Sequence, residues 1–331
     1  MSEFTLLFLK KKWDLVYDGC LSEAAMKSNP WFYFSMIILT FMGGCTYIVF
    51  NSIGGAIQHE QVAVSKDSIL VLELEGVIMD GKKFLKEIRE YAHRDNVKGV
   101  VVRVNSPGGV VGPSQEIYSE IMRVRDELEK PIYISASGLM ASGAFYAAMG
   151  GTKIYANKGS LLGSIGVIMN FANLEELYSW AKIKRFNLST GKFKDTGSDF
   201  RSMRDDEKKY LEELLQESLN QFIDDIVAGR KMKRDKVAAM ADGRVFTGSF
   251  AKSYGFIDEI GGLADVLEDI GEETGLGKRP EIFKPQKRPE DFFELLEERM
   301  EGLSPIKSVQ KSLKLDGFGK PMFIMPQFLE Q

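Results

Sequence analysis

Apolar positions of the chain form one long uncharged run near the N-terminus and a series of shorter runs after residue 67. The long run covers residues 31–50 and contains no Asp, Glu, Lys or Arg. About twenty uncharged residues are what a helix needs to cross a bilayer, and aromatic side chains flank the run as interfacial anchors do. We therefore predict a transmembrane anchor at 31–50. It is predicted to stay uncleaved, since no small-residue cleavage site follows it.

Basic residues distinguish the two sides of this run. Four lysines precede it, namely Lys10, Lys11, Lys12 and Lys27. The next basic residue after the run is Lys66. The positive-inside rule then places residues 1–30 in the cytoplasm as an N-terminal segment and everything after the anchor outside. Residues 51–67 are interpreted as a polar stalk.

After the stalk, strand-like apolar runs alternate with helical patterns. The predicted strands cover residues 68–79, 97–104, 131–135 and 153–156. The predicted helices between them cover residues 81–93, 113–129 and 142–149. The run at 97–104 is almost continuously apolar, which is typical of a strand covered on both faces. This alternation predicts an α/β fold of βαβ units with a largely parallel sheet.

The remainder of the chain continues with helices and then changes character. Residues 205–228 form a long amphipathic pattern that packs on a core or on a partner subunit, and two further helices are predicted at 232–241 and 263–274. From residue 278 onward proline and charge increase, with one possible helix at 292–300. We predict a domain over 68–277 and a C-terminal extension and tail over 278–331.

Composition narrows the chemistry. The net charge of −4 argues against a nucleic-acid binder, which usually carries a basic field. The two cysteines, Cys20 and Cys45, are too few for a thiol zinc site or a disulfide scaffold. The two histidines, His59 and His93, leave little room for a mechanism that needs several imidazoles. We predict no metal and no cofactor.

Three loops follow strands of the predicted parallel sheet, where open α/β sheets place their sites. The loop at 105–109 has two adjacent glycines, whose backbone N–H groups suit an anion or an oxyanion; a plain strand–helix turn is the alternative. In the loop at 136–144, small neighbours leave the Ser142 hydroxyl accessible, although a helix N-cap is the commoner role of such a serine. The segment at 159–167 offers Ser160 and Ser164, or is a plain β-rich connection.

A serine nucleophile needs a base. His59 lies in the stalk, and His93 ends a surface helix among charged residues, so both are interpreted as solvated. A neutral lysine is the remaining option, because burial lowers the pKa of an ammonium group. Composition does not select which lysine serves.

Four segments together resemble the signal peptide peptidase A (SppA) family of membrane-anchored serine proteases, in the Clp protease/crotonase superfamily. They are NSPGG at 105–109, SGLMASGAFY at 137–146, GSLLGSIGVIM at 159–169 and ADGRVFTGSFAKSYGFIDEIG at 241–261. The segments occur in the order expected of the family, and the similarity covers residues 68–275. NSPGG alone is also found in Clp-type proteases.

The resemblance implies a Ser–Lys dyad, which fits the shortage of histidine. The family's nucleophile falls on Ser142. Its lysine falls in the segment TGKFKD at 190–195, where we place it at Lys194, with Lys192 as the second choice. Ser164 matches the serine that orients the lysine. The family forms ring-shaped homo-oligomers that often assemble the dyad from neighbouring chains, so a single chain would then be inactive.

The same resemblance implies how a peptide binds. The N–H groups of Gly109 and Gly143 would stabilise the oxyanion. The peptide would add as a strand over small apolar pockets, along residues Val110, Val111, Leu161, Leu162 and Ile165. The expected substrates are remnant signal peptides and other hydrophobic peptides. The expected location is the plasma (bacterial inner) membrane, in contact with membrane lipid, with the catalytic domain on the periplasmic side.

Other readings of the sequence remain open at this stage. One is a crotonase-like acyl-CoA enzyme, which shares the oxyanion glycines but needs catalytic carboxylates and a cytosolic cofactor. Another is a catalytically silent scaffold that binds peptides or membrane partners. The apolar tail at 322–329 is expected to pack on the core, to be disordered, or to dock in the enzyme's own groove as a mimic of substrate.

Overall fold

A computed structural model describes residues 38, 40–41, 66–285 and 321–324 of the chain. The last two ranges belong to one compact unit. The predicted segment at 1–30 lies outside the described residues, as do most of the anchor and stalk and the helix predicted at 292–300. Among the residues that are described, no helix is long and apolar enough to span a bilayer.

Ten strands are found in the described part of the chain, in two sheets. They are β1 (Ser68–Glu75), β2 (Val97–Ser106), β3 (Gly108–Val110), β4 (Ile132–Ala141), β5 (Lys153–Ala156), β6 (Leu161–Gly163), β7 (Val245–Thr247), β8 (Glu259–Ile260), β9 (Ile282–Phe283) and β10 (Met322–Ile324). The main sheet has the order β7-β6-β4-β2-β1-β9, with β5 and β8 continuing from β4. The second sheet pairs β10 with β3.

Eight helices connect or cover these strands in the same part of the chain. They are α1 (Lys82–Tyr91), α2 (Val111–Asp126), α3 (Gly143–Ala148), α4 (Glu175–Trp180), α5 (Asp205–Arg230), α6 (Arg234–Ala238), α7 (Gly248–Tyr254) and α8 (Leu263–Glu273). Most of the strand–helix order follows the apolar periodicity. The α/β class with a mostly parallel sheet is confirmed.

Strand β4 divides the main sheet and so determines where the site lies. Its first part, Tyr133 to Ala136, pairs in parallel with β5, whereas its last part, Leu139 to Ala141, pairs in parallel with β6. Strand β6 in turn pairs antiparallel with β7. The end of β4 is therefore held between β2 and β6, away from the β5 branch.

The sheet is covered on both faces, as the continuous apolar run in β2 predicts. The larger core joins β1, β2 and β4 to α1, α2, α3 and α5. On the opposite face, Val101 and Tyr133 pack with Val266 and Ile270 of α8. This burial is the main stabilising term for the domain.

The fold differs from the sequence prediction at several elements. Strand β1 ends at Glu75 rather than at residue 79, and α6 covers only Arg234–Ala238 of the predicted 232–241. Helix α3 begins at Gly143 rather than at residue 142. Helices α4 and α7 were not predicted, because each spans only two turns or fewer and carries little periodicity. Strands β3, β7 and β10 have three residues each, which is too few for an alternating apolar pattern to be recognised in the sequence.

A buried carboxylate fixes the segment that leads into α5. Glu207 is fully buried and accepts hydrogen bonds from the Arg201 guanidinium at 2.6 and 2.8 Å and from the Arg204 backbone N–H at 2.9 Å. Arg201 also reaches the Asp195 backbone oxygen at 3.2 Å. Arg201 and the Arg204 N–H lower the pKa of Glu207 to about 2. The ion pairs thus hold the segment from Asp195 to Arg204 against the start of the helix.

Replacing Glu207 with Gln should lower the melting temperature at pH 7 by roughly 5 °C, because it removes the buried carboxylate that pairs with both Arg201 and Arg204 and leaves Arg201 with Asp195 alone. The pKa of Glu207 is lower in the folded than in the unfolded chain, where it is about 4.3. The carboxylate therefore stabilises the fold above that pH, and the contribution is lost as pH falls towards 2.

Thermal unfolding between pH 7 and pH 3 measures this effect. The gap between the parent and Glu207→Gln should narrow as the solution is acidified. Glu213→Gln, on an exposed position of the same helix, should leave the melting temperature almost unchanged. A gap that is constant with pH would contradict the assignment.

Candidate active site

Ser142 lies at the sharp turn between β4 and α3. Its backbone has φ 50° and ψ −116°, a left-handed combination that L side chains rarely adopt. The turn is held on both sides, since the Ser142 N–H donates to the Gly163 carbonyl at 2.7 Å and its carbonyl accepts from the Tyr146 N–H at 2.8 Å. Such strain costs roughly 1–3 kcal/mol and concentrates at functional sites.

The Ser142 hydroxyl is buried and has no hydrogen-bond partner among the described residues. It makes no capping bond to α3 although it occupies the N-cap position. The structural alternative of a capping serine is therefore excluded. A buried hydroxyl left unpaired is costly, and this cost is explained if the group is kept available for chemistry.

Sheet register places Ser164 beside Ser142. Ala141 pairs with Gly163 in the parallel ladder of β4 and β6, so the two serines follow paired residues on adjacent strands. Adjacent strands are about 4.8 Å apart. Ser164 also has a positive φ of 53°, is 3% exposed, and donates its N–H to the Arg244 carbonyl at 2.8 Å.

Two glycine N–H groups converge next to this turn. A Cβ placed on Gly108 would lie 2.6 Å from the Gly143 nitrogen, and one placed on Gly143 would lie 3.1 Å from the Gly109 nitrogen. A Cβ on Gly109 would collide with the Ile78 backbone. The close approach of these backbones requires glycine, which explains the adjacent glycines of the loop.

The C-terminal strand β10 lies in the same place. It pairs antiparallel with β3, with Phe323 opposite Gly109, and the Val111 N–H donates to the Pro321 carbonyl at 3.3 Å. On its other side, Met322 and Ile168 exchange two backbone hydrogen bonds, of 2.9 and 3.0 Å. Because hydrogen-bonded pairs alternate along an antiparallel ladder, Phe323 and Gly109 form the next bonded pair.

The backbone carbonyl of Phe323 consequently lies between the two glycines. Its oxygen would be 3.0 Å from a Cβ on Gly143 and would collide with one on Gly108. The side chain of Phe323 is fully buried, with ring centroids 5.2 Å from Tyr146 and 4.7 Å from Phe222. Residues 321–324 thus approach Ser142 as an extended peptide.

Of the five residues predicted to bind a peptide, two lie beside β10 and three lie in or just after β6. Val110 and Val111 lie along β10. Leu161 and Leu162 are in β6, both of whose edges are already paired with β4 and β7, and Ile165 is buried beyond it. Strand β10 pairs instead at Ile168. The binding roles of all five residues stay predictions.

The predicted lysines lie on an exposed stretch of chain. Every residue from 181 to 194 is exposed. Lys192 forms an ion pair with Asp206 at 2.6 Å. Lys194, two residues later, makes no hydrogen bond to Ser142, because the Ser142 hydroxyl has no partner among the described residues. Within the described chain the two predicted members of the dyad are therefore not hydrogen-bonded, and the catalytic roles of Ser142 and Lys194 stay predictions.

This stretch also carries large apolar side chains in water. We name residues 175–194 the exposed arm. Its exposed apolar residues are Leu177 (53%), Trp180 (81%), Ile183 (52%), Phe186 (78%), Leu188 (94%) and Phe193 (40%). Six large apolar side chains exposed within twenty residues make the arm a candidate interaction surface.

Sequence reasoning missed several residues of the site. Ser114 is buried, donates its hydroxyl to the Val110 carbonyl at 2.9 Å, and occupies the space next to Gly143. Tyr146 and Phe222 meet Phe323 across the fold. Phe222 falls within the amphipathic pattern predicted at 205–228, and Tyr146 is the last residue of the segment at 137–146, so neither pattern indicates a role at the site. His93 is exposed, as expected.

Comparison with known proteins gives a consistent result. The model of the peptidase family S49 matches residues 125–277. A putative protease of Synechocystis sp. is 34% identical over 214 residues, which cover 64% of this chain and 76% of that protein. A putative signal peptide peptidase SppA of Enterococcus faecium is 31% identical, over 64% of this chain and 65% of its own length.

A more distant relative shows how much longer some of these proteins are. Protease 4 of Haemophilus influenzae is 28% identical over 61% of this chain but only 34% of its own length. Ser142, Ser164 and both lysines lie within the matched family segment. The chain therefore belongs to peptidase family S49, to which the SppA proteins belong, and is a serine-type peptidase.

Proposed function

We propose that the chain is a membrane-anchored serine endopeptidase that cleaves remnant signal peptides and other hydrophobic peptides with a Ser–Lys dyad. The nucleophile is Ser142 and the general base is Lys194. The observation that carries the proposal is the buried, unpaired hydroxyl of Ser142 on a strained turn beside two glycine N–H groups.

The chemistry follows from this arrangement. The Lys194 amine takes the Ser142 proton as the oxygen attacks a peptide carbonyl. The N–H groups of Gly109 and Gly143 then stabilise the oxyanion, at about 3 kcal/mol per donor. The lysine returns the proton to the leaving amine, and water hydrolyses the acyl-enzyme. Ser164, next to Ser142 in the register, orients the amine.

The way β10 binds supports a peptide substrate. Residues 321–324 form a main-chain ladder with β3 on one side and an isolated bridge to Ile168 on the other, and they bring a backbone carbonyl to the two glycines. This is strand addition, in which the main chain supplies affinity and alternate side chains supply specificity. An acyl-CoA enzyme would have no use for a groove that pairs with an extended main chain.

Between the two lysines, Lys194 is the better candidate. Lys192 is held by Asp206 at 2.6 Å, and its carbonyl accepts from Arg204 at 2.7 Å. A lysine acts as a base only when it is neutral, which requires a desolvated setting. Exposed Lys194 gains that setting when another copy of the chain covers it.

A homo-oligomeric ring would provide this cover. The exposed arm presents six large apolar side chains to water and ends at the lysine segment. Packing the arm on a second copy would bury this apolar surface and would carry Lys194 towards a neighbour's Ser142. The site is then completed by two chains, tethered by the predicted anchor at 31–50 in the plasma membrane with the peptidase domain on the periplasmic side.

Replacing Ser142 with Ala should abolish cleavage of a fluorogenic hydrophobic peptide, with at least a 10³-fold loss of kcat, roughly the cost of losing a nucleophile. The fold should remain, since the hydroxyl has no partner to lose. Ser218→Ala removes a hydroxyl bonded within α5 and should keep near-normal activity. Retained turnover in Ser142→Ala would reject the nucleophile.

Replacing Lys194 with Ala should cost about 10³-fold or more in kcat, whereas Lys192→Ala should change it only a few fold because it breaks an exposed pair. Steady-state kinetics of the two variants decide between the lysines. Full activity of Lys194→Ala together with loss in Lys192→Ala would move the base to Lys192.

A mixing experiment shows whether the dyad lies between chains. Ser142→Ala and Lys194→Ala preparations, inactive alone, should regain part of the activity when they are dissociated and reassembled together. A mixture that assembles yet remains inactive would place both residues of the dyad in one chain.

The docked tail should act as a competitor of substrate. Truncation after Leu315, or Phe323→Asp in the full chain, should lower KM for a peptide because each removes the occupant of the groove. The melting temperature should fall in the same samples, since a buried ring is lost. If neither change raises activity at low substrate concentration, the competing role is refuted.

A further inference from the structure

The residue whose carbonyl meets Gly109 and Gly143 places its side chain in a closed aromatic pocket. That residue is Phe323, and it is fully buried. The pocket therefore has room for a complete phenyl ring. Its position relative to the two glycines is that of the residue on the N-terminal side of the bond to be cleaved.

Two rings from different helices form the walls of this pocket. Tyr146 stacks on Phe323 with a centroid distance of 5.2 Å and an interplanar angle of 22°, and Phe222 lies at 4.7 Å and 45°. Tyr146 and Phe222 also contact one another, at 4.9 Å. Offset and tilted aromatic pairs of this kind stabilise beyond the burial of their area.

The Tyr146 wall is tied to the nucleophile. Its backbone N–H donates to the Ser142 carbonyl at 2.8 Å, one helical turn away. The position of the pocket is thus fixed relative to the hydroxyl that attacks.

Hydrogen bonds to α5 hold the Tyr146 side chain and the helix α2 next to it in place. The Tyr146 hydroxyl donates to Asp225 of α5, and Gln115 of α2 donates to Gln221 of α5 at 2.9 Å. Burial and the contact with Asp225 raise the pKa of the Tyr146 hydroxyl, so it keeps its proton and remains a donor. These contacts tie Tyr146 and the neighbouring helix α2 to α5, which carries Phe222.

We propose that Tyr146 and Phe222 form the specificity pocket for the residue preceding the cleaved bond, and that this pocket selects a large aromatic side chain. The inference rests on the proposed function of Ser142 and names the substrate feature that the site reads. It replaces the sequence-based expectation of a small pocket. A small side chain would leave most of the space between the rings unfilled, at the cost of lost contacts.

Paired substrates test the preference. Two fluorogenic peptides, identical except for Phe or Ala before the cleaved bond, are compared with the full chain by kcat/KM. The Phe peptide should be favoured by about 30-fold or more, the scale of burying a phenyl ring against a methyl group. The ratio is unaffected by the docked tail, because the tail competes with both peptides equally.

Variants of the pocket test whether the preference for Phe over Ala arises from Phe222. Phe222→Trp narrows the pocket and should reduce the Phe/Ala ratio at least tenfold. Phe256→Leu is the matched control, since Phe256 is a buried aromatic that stacks on Phe246 rather than on Phe323; the ratio should stay within about twofold. A ratio near one in the parent, or an unchanged ratio in Phe222→Trp, would overturn the proposal.

A binding measurement separates this inference from the catalytic proposal. Labelled Gly-Lys-Pro-Met-Phe, the sequence of residues 319–323, and the same peptide ending in Ala are titrated by fluorescence anisotropy against the full chain that carries Ser142→Ala and Phe323→Asp, whose own tail no longer fills the pocket. Tighter binding of the Phe peptide than of the Ala peptide, lost in Phe222→Trp, would support the pocket. This holds even if the parent chain hydrolyses no peptide, a result that would refute only the proposed endopeptidase activity. Equal binding of the two peptides would refute the pocket while leaving Ser142 catalysis intact.

Discussion

The turn at Ser142 is the constraint on which the rest of the site depends. Strand β4 delivers the chain to this point, and α3 leaves it at once, so a single residue absorbs the change of direction with a positive φ. The same turn presents the hydroxyl, aims the Gly143 N–H and starts the helix that carries Tyr146. A one-residue shift in the register between β4 and β6 would move Ser164 away from the Ser142 hydroxyl, the Gly143 N–H and the start of α3, since successive residues of a strand face opposite sides.

A second constraint is the separation of nucleophile and lysine in one chain. The Ser142 hydroxyl is buried and unpaired, while the exposed arm holds Lys194 in water. The Glu207–Arg201 pairs fix the base of the segment, not the arm itself. The proposed homo-oligomer would overcome this separation, and an unassembled chain would then be inactive.

Much of the fold follows from local patterns. The apolar run in β2 and the strand–helix alternation predict the parallel sheet, because a strand buried on both faces is apolar at almost every position. The small-residue loop after β4 makes Ser142 a candidate, the family resemblance implies that it is the nucleophile, and only the structure excludes its alternative role as an N-cap. The pairing of β10 with β3 was not predictable in the same way. Three residues near the C-terminus carry no periodicity, and their partner is distant in sequence, so only the three-dimensional arrangement of both glycines shows where they bind.

The most direct test of the account is covalent labelling of the full chain. A peptide phosphonate ending in Phe reacts with a serine only where the hydroxyl is activated and an oxyanion site stabilises the adduct. We expect one adduct, located by mass spectrometry on Ser142, formed by the assembled protein and much more slowly by the Lys194→Ala chain. Labelling of another serine, or no labelling of Ser142 in an intact assembly, would contradict it.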